Sequence, residues 1–166
     1  SAGVATSFVY DTMGRLTWTK PAAGHGAYVH NQYLKYGTCS GPAKVETCTK
    51  ANGTTTECVN EQSACAPLGD SLSRSAVHFD VLGRVVGEYT KLADGSWNQR
   101  LTEYDGMSRK TAVSEWQANG TAGANLRKTI YSGFDVFSRP TVITPPDGTT
   151  HNTTLSYTGI AQVART

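Results

Sequence analysis

Tyr10-Asp11-Thr12-Met13-Gly14-Arg15 returns as Phe79-Asp80-Val81-Leu82-Gly83-Arg84, as Tyr104-Asp105-Gly106-Met107-Ser108-Arg109 and as Phe134-Asp135-Val136-Phe137-Ser138-Arg139. A frayed fifth phrase opens at Tyr157-Thr158-Gly159. The aspartate-equivalent positions are spaced 69, 25, 30 and 23 residues apart. Self-similarity at a period of twenty-odd residues marks a repeat architecture, in which each unit buries its apolar surface against its neighbours. The long first step holds a frayed stretch at Tyr33-Leu34-Lys35-Tyr36-Gly37 and, over 37–74, a cysteine-containing insertion or degenerate repeat.

Each phrase has a physical reading as a bend between paired strands. The aromatic residue ends an incoming strand, and the aspartate takes the first position of a type I turn. There its carboxylate accepts the backbone N–H two residues on. A glycine three residues after the aspartate, Gly14 or Gly83, supplies the left-handed conformation that matches a bulged hairpin to the twist of its strands. Ser108 and Ser138 stand at that place in the third and fourth copies. A left-handed residue with a Cβ is strained by about 1–2 kcal/mol, so these two turns are expected to relax to another type. The structural turn residues are therefore Asp11, Gly14, Asp80, Gly83, Asp105 and Asp135. Arg15, Arg84, Arg109 and Arg139 open the outgoing strands, each expected to pair with the aspartate of its own or an adjacent repeat.

Flanking residues alternate in character: Phe8 with Tyr10, Leu16 with Trp18, Val77 with Phe79, Val85 with Tyr89, Ile130 with Phe134, Leu155 with Tyr157. Period-two alternation is the mark of a strand with one apolar face. Asp94-Gly95, Asn119-Gly120 and Pro145-Pro146-Asp147-Gly148 provide the complementary turns between copies. With 17 Gly and 8 Tyr in 166 residues and no sustained helical period, the expectation is one all-β domain over 1–166. It is built from consecutive antiparallel β-hairpins in a curved, open sheet.

The phrases resemble the Rhs/YD-repeat family, defined by Tyr-Asp-x-x-Gly-Arg recurring every twenty-odd residues, which includes bacterial Rhs toxins, Tc toxin cocoon components and the teneurins. The likeness covers 4–20 and 75–166, and is poor over 37–74. It implies a non-catalytic segment of an encapsulating shell. The implied partners are the rest of a parent YD-repeat shell or an enclosed effector domain, with self-association through an exposed sheet edge. The Asp-Pro-x-Gly-Leu cleavage phrase that ends such shells does not occur.

Other classes were weighed on the residues. The net charge is +2 with no block of like charge, which argues against a nucleic-acid partner, and no apolar run approaches the roughly 20 residues of a membrane span. Cys39, Cys48, Cys58 and Cys65 crowd one 27-residue window. They read first as two disulfides of undetermined pairing, and hence as a secreted or extracytoplasmic protein. Free thiols are an alternative, and zinc fits poorly because the gaps of eight, nine and six residues exceed structural-site spacing. Trp97 and Trp116 are candidates for stacking on glycans, the alternative function being carbohydrate or cell-surface recognition, although capping the sheet is the commoner role for such side chains. His25, His30, His78 and His151 with the four aspartates are the only catalytic candidates. No catalytic phrase or metal spacing surrounds them, so no catalytic residue, cofactor or metal is expected. Asn52, Asn119 and Asn152 open Asn-x-Thr sequons, read as chance in a Thr-rich chain.

Overall fold

A computed structural model describes residues 5–22, 27–34, 43–50, 73–159 and 162–165. It is mostly antiparallel β-sheet, and among the described residues helix is confined to two single 3-10 turns at Gly123–Asn125 and Thr149–His151. The chain divides into two compact units, 1–97 and 98–166.

In the first unit β1 (Ser7–Tyr10), β2 (Leu16–Lys20), β3 (Tyr28–Leu34), β4 (Ala43–Lys50), β5 (Ser73–Phe79) and β6 (Val85–Lys91) lie side by side in chain order, every described neighbouring pair antiparallel. β4 lies within the stretch read as an insertion or degenerate repeat, yet it is an integral strand, with Val45 opposite both Tyr33 and Val77. Its registers align Trp18 with His30, His30 with Cys48 and Cys48 with Arg74 across four strands. Cys48 is fully buried, with Trp18 packed against it and the Trp18 ring stacked on His30 at 4.2 Å.

In the second unit β7 (Trp97–Tyr104, whose first residue closes the first unit), β8 (Lys110–Ser114), β10 (Lys128–Ser132), β11 (Val142–Thr144), β12 (Thr153–Thr158) and β13 (Gln162–Arg165) follow the same up-and-down order, while the two-residue β9 (Gln117–Ala118) pairs with β7. Its buried residues are small or polar: Ala112, Gln99, Thr102 and Ser114. Gln99 and Ser114 are satisfied. The Gln99 amide donates to Thr121 O at 2.7 Å, and Ser114 Oγ accepts the Leu101 N–H at 2.8 Å. Burying a polar group without a partner costs several kcal/mol, so these bonds are what permits the small polar interior.

Two readings of local structure are corrected. Ser108 and Ser138 do not relax; both hold φ of 62°. Each turn keeps the backbone pattern of the glycine copies, Ser108 N–H to Asp105 O and Ser138 N–H to Asp135 O at 3.0 Å. The aspartate–arginine bonding described below holds the bend against the local strain. Second, Phe134 does not end its strand. β10 stops at Ser132 because Gly133 takes φ of 62° and its carbonyl oxygen accepts both the N–H and the hydroxyl of Thr141. The fourth turn therefore sits within a longer connection from Gly133 to Thr141.

Candidate functional site

The four aspartates occupy hairpin bends of one design. In the first, Gly14 N–H donates to Asp11 O at 3.0 Å and Asp11 N–H to Arg15 O at 2.9 Å. Asp11 Oδ1 accepts the N–H groups of Met13 and Arg15, both at 2.9 Å, and Oδ2 accepts Arg15 Nε at 2.7 Å. Asp80 does the same with Leu82 and Arg84, Asp105 with Met107 and Arg109, and Asp135 with Phe137 and Arg139. Strand register slips one residue before three of the aspartates, at Val9/Tyr10, His78/Phe79 and Glu103/Tyr104, as a bulged turn requires.

This bonding holds all four carboxyls below their ordinary value. At Asp11 the Arg15 N–H is the largest influence and lowers it. At Asp80, Asp105 and Asp135 partial desolvation is the largest influence and opposes the shift, but the arginine N–H, its guanidinium and the N–H two residues on together outweigh it.

Arg15, Arg109 and Arg139 each reach beyond their own turn. The Arg15 guanidinium lies 4.4 Å from the centre of the Tyr33 ring, Arg109 4.4 Å from Phe134, and Arg139 4.1 Å from Tyr157. All three are within cation–π range. Phe134 and Tyr157 are the aromatic positions of the next phrase along the chain, and Tyr33 belongs to the frayed stretch that follows the first. A second link repeats where the aromatic is tyrosine. Tyr33 Oη donates to Leu16 O at 3.1 Å and Tyr157 Oη to Pro140 O at 2.8 Å, in each case the carbonyl of the residue after the arginine. Arg139 Nη1 also donates to Gly159 O at 2.9 Å. Within each unit, aspartate, arginine and following aromatic thus form rungs that tie one repeat to the next, once in the first unit and twice in the second.

No family model matches this sequence, and no curated protein does.

The turns also display apolar side chains at one equivalent position, two residues after the aspartate: Met13, Leu82, Met107 and Phe137, all largely exposed. The phrases contain these residues at x positions, and nothing in their spacing marks them as a shared surface. In the second unit a groove of about 480 Å3 opens beside Met107, Arg109, Phe134 and Pro140, between the Asp105 and Asp135 bends.

The remaining candidates are dispersed. Trp97 is half-buried with the Arg74 guanidinium 5.2 Å from its ring centre, whereas Trp116, in the other unit, is exposed. His30 is buried against Trp18, and His78 lies in β5 with its ring 4.4 Å from Tyr89. His151 is an exposed side chain 3.1 Å from Asp147. No group of three or more His, Cys, Asp or Glu side chains able to hold a metal occurs among the described residues, and no described helix is long and apolar enough to cross a membrane. His25, Cys39, Cys58, Cys65 and Asn52 lie outside the described residues. Cys48 is not a free thiol.

Proposed function

We propose that this chain is a run of Rhs/YD-type hairpin repeats whose role is architectural: a non-catalytic wall segment of an extracytoplasmic shell. The observation that carries the reading is the rung pattern. The residues that recur in sequence are consumed in joining one hairpin to the next, and the aspartates that would be the obvious acids of an active site are bound as turn caps. In this reading the hairpins build a curved, open sheet that encloses or presents the rest of a YD-repeat shell or an effector domain, and the four cysteines form two disulfides suited to an oxidising compartment. Trp97, lying beneath Arg74, is poorly placed to receive a sugar face, which weighs against recognition as the primary role.

The test is made on the full chain. Asp11→Ala, Asp80→Ala, Asp105→Ala and Asp135→Ala, introduced singly and then together, are expected to lower the thermal midpoint stepwise, while a panel of glycans leaves tryptophan fluorescence unchanged. Unaltered midpoints in all four variants would overturn the wall reading. Saturable quenching by a sugar would replace it with a recognition module.

A further inference from the structure

Every acid of the second unit is already paired. Asp105 and Asp135 hold the arginines of their own turns, Glu103 takes the Lys128 ammonium and Glu115 takes Arg127, each at 2.8 Å, and Asp147 lies 3.1 Å from His151 Nδ1. Lys110 stands outside this set. It is exposed, and among the described residues no ion pair, hydrogen bond or ring engages its ammonium. It also lines the groove of about 480 Å3 between the Asp105 and Asp135 bends. The rest of that lining is largely apolar: Met107, 71% exposed, with half-buried Tyr131, Phe134 and Pro140. Arg109 reaches the same groove, but Asp105 meets its charge at 2.7 Å and its guanidinium covers the Phe134 ring at 4.4 Å. No described acidic side chain lines the groove. A concavity of several hundred Å3, mostly apolar with a few polar groups to fix orientation, is the usual form of a small-molecule site.

We infer that this groove binds a small aromatic carboxylate. Charge complementarity selects the anion. With Arg109 neutralised by its turn aspartate, Lys110 leaves the groove with one uncompensated positive charge, and a carboxylate set beside it meets no repelling acid. The apolar lining selects the body of the ligand. Tyr131 and Phe134 offer ring surface for offset or edge-on contact, Met107 offers a polarisable thioether suited to ring edges, and Pro140 a stiff apolar wall. A neutral sugar fits this lining poorly, because its hydroxyls would lose water against groups that return few hydrogen bonds. The site is therefore chemically distinct from glycan recognition, and it does not depend on the architectural reading, since every residue that forms it lies within the second unit.

The probe is naphthoate titrated into the full chain, with naphthylmethanol as its neutral counterpart, followed by calorimetry and by NMR of isotope-labelled methionine methyls. Met13 and Met107 are the only methionines. Met13 holds the equivalent turn position but does not line the groove, so its methyl is the internal reference. Saturable binding of naphthoate is expected, about threefold tighter than that of the alcohol, with the Met107 methyl shifting and the Met13 methyl unmoved. Lys110→Gln should remove the preference, weakening naphthoate about threefold and leaving the alcohol unchanged. Met107→Ser should weaken both ligands about fivefold. Both side chains are exposed, so neither substitution threatens the fold. Absence of saturable binding, a preference that survives Lys110→Gln, or equal shifts of the two methyls overturns the proposal. Tighter binding of laurate than of naphthoate also overturns it, because the groove would then select an aliphatic chain.

Discussion

Ser108 and Ser138 hold a left-handed backbone that costs a residue with a Cβ about 1–2 kcal/mol, while Gly14 and Gly83 hold it without that cost. No neighbouring atom lies within 4 Å of where a Cβ would stand at Gly14 or Gly83, so at those glycines a side chain would meet a conformational cost and no steric one. Ser108→Gly and Ser138→Gly should each stabilise the chain by about 0.5–1 kcal/mol, the relieved strain exceeding the extra chain entropy of glycine. Gly83→Ala should destabilise it by about 1 kcal/mol. Urea unfolding checks all three, and equal midpoints for Ser108→Gly and the parent would contradict the strain argument. The carboxyls predict a pH dependence with a definite sign. Asp11, Asp80, Asp105 and Asp135 have folded values below that of an ordinary aspartate. Their contribution is therefore fully present above the unfolded value and is lost as pH falls through the folded ones. Stability should be level from neutral pH down to about pH 5 as far as these groups decide it, then fall below about pH 4. The fall should be shallower in the Asp80→Asn variant.

Among the elements, the hairpin and the rung are separate devices. The hairpin is local: six consecutive residues contain the aspartate, its accepted N–H groups and its arginine. The rung is not, since Arg139 and Tyr157 are 18 residues apart and meet only because β11 and β12 are neighbours. A double-mutant cycle with Arg139→Gln and Tyr157→Leu should give a coupling of about 0.5–1 kcal/mol. Tyr157→Phe alone should cost about 1 kcal/mol by removing the bond to Pro140 O. A coupling of zero would reduce the rung to a coincidence of packing. Gly133 shows an element's dependence on one small residue, because a Cβ there would meet Thr141 Oγ1. Only glycine therefore fits there, and its left-handed φ, with its carbonyl taken up by Thr141, is why β10 ends before the phrase begins.

For the whole molecule, protection is expected to follow position in the strand order. β1 is exposed throughout, whereas β4 and β5 lie inside their unit and carry the buried Cys48, Arg74 and Ala76. Amide exchange should be slowest in β4 and β5 and fastest in β1; early exchange of β4 would mean that the stripe from Trp18 to Arg74 does not stabilise the first unit. The buried apolar residues described are few and small, Cys48, Ala76 and Ala112. Ordering the chain costs about 1–2 kcal/mol per residue, so among the described residues the bonds between neighbouring repeats carry an unusual share of the stability.

The sequence by itself determined the strands, the turns and their glycines, because a period of two, an aspartate at the first turn position and a left-handed residue three places on are all local demands on the backbone. It also placed the arginines as partners of the turn aspartates, but left open whether the pairing is within one repeat or between adjacent ones; the structure makes it within each turn. What only the tertiary structure decided is the partner of each arginine's far face, the division at Trp97 and Asn98, and the place of β4 in the sheet. Those depend on which strand lies beside which, and contacts between residues far apart along the chain leave no spacing in the sequence from which to read them.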